Sequence, residues 1–303
     1  MANGWLHLFY AQDMLRPLFA AILIGFTNGV LSVFIVLRRL SLMADAISHS
    51  LLPGLAIAIL LFGLAPATLV AGAFLAALLV ALGTQIIANS TRIKEDTALG
   101  LLFACAFSLG QALLKLAPAH VGISEYLFGN ILGLSDGDLY LTYGITLLVL
   151  PLLVLFQRPL LLMLFEPSIA STQGVPVRAL RYFLMVVLVL AMISSLRAVG
   201  IILALGTLIG PAATVYLFVD SFTVMFWVSG LLGAFASLLG LLVSDWTDLP
   251  AGACIVLVLG VLFLVSFLLS PRYGLLRRLR KGHLHAQSLA RWGGEGESVK
   301  GDR

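Results

Sequence analysis

Apolar residues run along this chain in blocks of about twenty, parted by short polar turns. The blocks fall at 17–37, 41–62, 66–88, 97–117, 138–157, 179–196, 199–218, 222–243 and 251–269. A helix needs about 20 mainly apolar residues to cross a hydrocarbon core roughly 30 Å thick. Each block therefore predicts a membrane-spanning helix, and the fold class is all-α, a polytopic membrane protein. Only the short stretch from Arg197 to Gly200 parts the sixth block from the seventh, so the pattern gives eight or nine spans.

Two connections are not simple turns. Residues 118–138 are too apolar in their middle for a solvated loop; a short re-entrant helix around 122–134 would suit them where protein covers it. Residues 165–180, FEPSIASTQGVPVRAL, carry proline and glycine at both ends of a small-residue stretch. That pattern suits a short helix along the membrane surface where another protein docks. The chain then divides into an interfacial segment at 1–16 bearing Trp5, Phe9 and Tyr10, a spanning domain at 17–271, and a basic tail at 272–303 expected to be disordered. The first residues lack the basic start and small-residue cleavage site of a secretory signal.

Composition agrees with the block pattern. Hydrophobic residues make up 61% and charged residues 11%, and the mean hydropathy is +1.09. A soluble domain carries about a quarter charged residues, so that class is excluded. The formal net charge of +4 is concentrated in the tail and a few loops and speaks to topology, not to nucleic acid. Arg38 and Arg39 follow the first span, Arg92 and Lys94 the third, and Arg158 and Arg178 flank the fifth-to-sixth connection. The cluster from Arg272 to Lys281 follows the last span. The positive-inside rule puts these four places on the cytoplasmic side. With nine spans the N-terminus lies outside and the C-terminus inside. Lys115 and Arg197 stand alone near outer helix ends. Cys105 and Cys254 fall inside apolar blocks and read as small buried hydrophobes.

Candidate chemistry sits in the second block. Asp45 and His49 are four apart and share one helix face. His49 is ten residues beyond Arg39, about 15 Å deep and close to the bilayer midplane. An ionisable residue there costs on the order of 3 kcal/mol and is a functional candidate by default. Pro53 cannot donate to the carbonyl of His49, and Gly54 loosens the helix further. The helix thus offers a carboxylate, an imidazole and a freed carbonyl, with Ser41, Ser48 and Ser50 nearby. That N/O set suits divalent Mn, Fe or Zn better than Cu(I). Equally, the pair could hydrogen-bond within the bundle. Two ligands are too few for a closed structural site, which is what a site of transit requires.

Other polar groups carry less. Glu95 and Asp96 favour a helix start, Asp245 and Asp248 a turn, and Glu125, Asp136 and Asp138 a solvated loop. His283 and His285 form a lone His-x-His in the tail. Gly200, Gly206 and Gly210 allow close packing, and Pro211 breaks the backbone ladder and could serve as a gating hinge. No phosphate-binding G-x-x-x-x-G-K-[ST], G-x-S-x-G or H-E-x-x-H motif occurs, so the chain is not expected to hydrolyse ATP or act as an enzyme.

VLRRLSLMADAISHSLLPG at 36–54, EDTALGLLFACAFSLG at 95–110, EYLFGNILGLSDGDL at 125–139, RAVGIILALGTLIGPAAT at 197–214 and the stretch 248–276 resemble, in this order and spacing, the permease subunits of ABC importers for zinc, manganese and iron. The resemblance implies the vitamin-B12-importer-like (type II) permease architecture. It implies a second permease copy or paralogue, a cytoplasmic ATP-binding subunit, and a periplasmic or lipoprotein metal-binding protein. It places Asp45 and His49 in the metal path. Glu166, Ser168, Ala170 and Gly174 fall in the segment that meets the ATPase. No permanent cofactor is implied; the transported metal is cargo. Ala44 stands where the family commonly has glycine, and Gly210 where it has an aliphatic residue. A proton-coupled secondary metal transporter and an ABC permease for a metal chelate such as a siderophore are the competing readings. The first would work without an ATPase; the second would want a wide aromatic-lined path.

Overall fold

The structure, a computed structural model, describes residues 12–116, 136–196 and 200–270. The interfacial segment up to residue 11, the re-entrant stretch at 122–134 and the tail lie outside the described residues. The helices are α1 (Gln12–Leu37), α2 (Ser41–His49), α3 (Leu51–Phe62), α4 (Pro66–Ser90), α5 (Glu95–Leu114) and α6 (Asp136–Phe165). They continue as α7 (Pro167–Thr172), α8 (Val177–Leu196), α9 (Ile201–Tyr216), α10 (Phe222–Thr247) and α11 (Ala251–Leu269). Among the described residues, eight segments are long and apolar enough to span a membrane, with α2 and α3 counted as one; α9 is shorter.

The sixth and seventh blocks are separate helices. Asn28 of α1 is fully buried and donates to Ser195 Oγ at 2.8 Å and Thr207 Oγ1 at 3.0 Å. In one continuous helix those two hydroxyls would lie about 18 Å apart; a chain reversal brings both to one amide. Conversely, α6 runs eight residues past the expected end at 157, through Pro151 and Pro159. Each proline removes one backbone bond, a loss that neighbouring helices in a membrane tolerate.

Glycine sets how closely the helices approach. Gly25 and Gly29 of α1 face Ser229, Gly233 and Ser237 of α10. A Cβ on Gly29 would lie 2.2 Å from the Ser229 carbonyl oxygen, and one on Gly233 2.1 Å from that of Gly25. Between α9 and α11, a Cβ on Gly206 would stand 2.8 Å from Val256. Small residues do this work in lipid, where apolar side chains gain nothing by leaving their surroundings for one another.

The basic turns gather at one end of the bundle. Asn89 Nδ2 donates to Tyr182 OH at 3.2 Å, tying the end of α4 to the start of α8. Gln85 Nε2 donates to Glu95 Oε1, tying α4 to α5. Burial, and then the neighbouring Arg181 guanidinium, hold Arg38 below its ordinary pKa, while Glu95 opposes the shift. At the other end Arg16 pairs with Asp136 at 3.2 Å, and Ser244 Oγ donates to the Leu249 carbonyl at 2.6 Å.

Two readings need correcting. Cys254 is buried, but Cys105 is exposed, because α5 turns only one face to the bundle and Cys105 lies on the other. Asp138, expected in a solvated loop, lies in the first turn of α6 and is buried.

Candidate functional site

The second apolar block breaks at Ser50. Helix α2 ends at His49 and α3 begins at Leu51, with Ser50 N–H donating to the carbonyls of Ala46 at 3.0 Å and Ile47 at 3.1 Å. Pro53 falls in the first turn of α3, where a missing N–H is tolerated. Its ring offers no donor to the carbonyl of His49. The serines nearby are occupied locally: Ser48 Oγ donates to the Asp45 carbonyl and Ser50 Oγ to that of Ala46, both at 2.6 Å.

Asp45 Oδ1 and His49 Nε2 are 3.6 Å apart, with side chains 44% and 27% exposed. That separation is too long for a hydrogen bond. Two ligands about 2.1 Å from one ion would sit roughly 3.0–3.5 Å apart, so a small adjustment brings both onto one cation. Among the described residues no group of three or more His, Cys, Asp or Glu side chains converges; Asp45 and His49 form a pair, not a closed cage. The opposite face of α2 is packed away through Met43, Ala44, Ala46, Ile47 and Ser48. Leu42, Asp45 and His49, at helical spacing, form the face left uncovered.

Helix α5 supplies what sequence reasoning missed. Phe103 and Phe107 flank His49, with ring centroids 6.0 and 5.6 Å away. One turn on, a Cβ at Gly110 would lie 2.8 Å from Pro53 N. The positions i, i+4 and i+7 of EDTALGLLFACAFSLG therefore line the break. The spacing was visible in the sequence; that it faced α2 was not.

Gly54 does not stand in open space. A Cβ there would lie 2.0 Å from the Gly72 carbonyl oxygen on α4. Pro211, expected to break the ladder, lies inside α9, which runs on through it; the next residue's N–H, of Ala212, is held by Ser32 Oγ of α1 at 3.1 Å.

At the basic end, Pro167 opens the short helix α7 and Glu166 precedes it. Gly174, at φ +78°, ends it with Val175 N–H returning to the Ala170 carbonyl at 3.0 Å. Only glycine takes that conformation without strain. Ala170 is buried while Glu166, Ser168 and Gly174 are exposed. A surface cavity of about 640 Å³ lies alongside, lined by Asn89, Ser168, Ser171, Val177, Arg178 and Arg181 among others.

Residues 11–270 match the ABC 3 transport family, and the chain belongs to that family: it is a multi-pass membrane permease. It is 41% identical to the manganese transport system membrane protein MntC of Halalkalibacterium halodurans, over 88% of this chain and 90% of that one. To the chelated iron transport system membrane protein YfeD of Yersinia pestis it is 36% identical, over 84% of each. Its fold is that of a chain in the structure of PsaBC from Streptococcus pneumoniae in complex with Fab, at TM-score 0.79 and 36% identity, covering 90% of this chain and 98% of that one.

Proposed function

We propose that the chain is the permease subunit of an ATP-binding-cassette importer that moves divalent manganese or iron into the cytoplasm. Asp45 and His49 form its half of a transit site. The observation that carries this reading is the uncovered stripe of Leu42, Asp45 and His49. A carboxylate and an imidazole about halfway through the bilayer cannot face lipid tails at acceptable cost. They must border water or another subunit. A second permease copy would bring a second Asp–His pair, raising two ligands to four around one ion.

Relatives named for manganese and for chelated iron support this cargo class, and the mixed oxygen and nitrogen donors suit both metals. The incomplete site on each chain favours release over storage. Energy comes from a separate ATP-binding subunit seated on α7 and its cavity, with Glu166, Ser168, Ala170 and Gly174 shaping the contact. A periplasmic or lipoprotein metal-binding protein delivers the ion at the other end. The gathering of basic turns at the α7 end supports placing that end in the cytoplasm, with the N-terminus outside the inner membrane.

Uptake of radiolabelled manganese and iron into proteoliposomes tests this, with and without the ATP-binding subunit and ATP. Asp45→Ala and His49→Ala abolish uptake while leaving insertion and ATPase association intact. Near-normal uptake by both variants removes the pair from the path. Uptake by the chain alone, driven by a proton gradient, makes it a secondary transporter instead.

A further inference from the structure

On the flank of the bundle, α1, α6 and α10 enclose a groove of about 930 Å³. Its walls are Phe19, Ile22, Leu23 and Phe26 of α1 with Leu231 and Ala234 of α10. From Leu15 to Phe26 the α1 wall rises about 16 Å, close to half of the roughly 30 Å hydrocarbon core. The groove thus reaches from one membrane interface to the midplane, the depth that one leaflet's acyl chains occupy. It lies at the end of the bundle opposite Arg38 and Arg39.

Its mouth is charged. Arg16 Nη1 meets Asp136 Oδ1 at 3.2 Å, with the two side chains 65% and 72% exposed. Tyr143, also on the groove wall, donates its hydroxyl to the Arg16 carbonyl at 2.7 Å and fixes the mouth to α6. So exposed an ion pair adds little to stability, and both groups keep free hydrogen-bonding capacity. They present a guanidinium and a carboxylate side by side at the depth of lipid headgroups. That is the complement of a zwitterionic headgroup with a phosphate and a primary ammonium two carbons apart. A guanidinium suits phosphate, and a carboxylate accepts from an N–H donor that a quaternary ammonium lacks.

We propose that this groove holds one phosphatidylethanolamine molecule, its phosphate on Arg16, its ammonium on Asp136 and an acyl chain along Phe19, Ile22 and Leu23. The site depends on the membrane-spanning fold and not on the cargo.

The test is native mass spectrometry of the full chain, taken from mixed micelles of equal phosphatidylethanolamine, phosphatidylcholine and phosphatidylglycerol. Wild type retains one phosphatidylethanolamine per chain, favoured several-fold over the other two. Asp136→Asn leaves Arg16 without its counter-charge and turns the preference toward anionic phosphatidylglycerol. Arg16→Gln loses retention of all three. Ala234→Trp fills the groove and lowers occupancy without changing the headgroup ranking. Because the ranking compares lipids on the same protein, partial loss of folded material cannot produce the switch. Equal retention of the three lipids by wild type and Asp136→Asn overturns the proposal. So does a lipid-free dimer cross-linked through Ala234→Cys, which would make this face a contact between copies.

Discussion

Gly54 and Gly72 meet backbone to backbone. A Cβ on the first would lie 2.0 Å from the carbonyl oxygen of the second, and the reverse substitution brings a Cβ to 2.5 Å. The turn after the Ser50 break is therefore clamped to α4, and α3 cannot swing from it without opening that contact. Gly54→Ala forces the helices apart and costs about 1–3 kcal/mol as overpacking, read as a lower thermal midpoint in detergent. Gly100 has open space where a Cβ would go, so Gly100→Ala leaves the midpoint unchanged or slightly raised.

Asn28 makes a different kind of tie. Ser195 and Thr207 spend their own protons on the carbonyls of Ala191 and Ala204, so both hydroxyls accept from the Asn28 amide. Asn28→Leu removes two interhelical hydrogen bonds of a class worth about 0.6–1.7 kcal/mol each in a membrane. Asn28→Asp is worse, because it buries a carboxylate that the two hydroxyls can reach only by giving up the carbonyls of Ala191 and Ala204. The order wild type, Asn28→Leu, Asn28→Asp in thermal stability checks this; equal stability of the two variants contradicts it.

At the basic end, Arg38 and Arg181 are like charges in mutual range, and Glu95 opposes their repulsion. The Arg38 Nη1 and Arg181 Nε atoms are buried without hydrogen-bond partners. Glu95→Gln leaves two guanidinium groups facing each other and lowers the thermal midpoint. Adding Arg181→Gln recovers part of the loss, since the second change removes the repulsion the first exposed. A double-mutant cycle measures that coupling; additive losses would mean the groups do not interact.

Much of the fold was legible because spanning helices announce themselves by length and composition, and Asp45 and His49 because charge within an apolar block is costly. The helix break was legible from Pro53, although it falls three residues earlier, at Ser50, since proline is accommodated in the first turn of the next helix. What one sequence could not supply was which faces meet. Gly25 and Gly29 have the spacing of a close-packing motif, yet only the fold shows that α10 answers with Ser229 and Gly233. Glu95 opens its own helix as its position suggested, but its tie to Gln85 joins another helix and no single segment shows it. Cys105 looked buried because nothing in a uniformly apolar block tells the packed face from the exposed one.

Phe107 faces the imidazole of His49 edge to face at 5.6 Å, with Phe103 on the same helix face at 6.0 Å. These rings offer His49 no hydrogen bond; they confine its orientation and keep water off one side of it. Phe107→Ala frees the imidazole to rotate away from Asp45 and admits water to the break. In the proposed transit site the rings orient a metal ligand, and losing a group of that kind costs about 10–100-fold in metal affinity. Uptake by Phe107→Ala should therefore need at least tenfold more metal for half-maximal rate, with the maximal rate less affected. Phe107→Leu keeps most of the volume and recovers most of the affinity. If the alanine variant instead lowers the maximal rate at unchanged half-saturation, the rings act on the movement of α5 and not on His49.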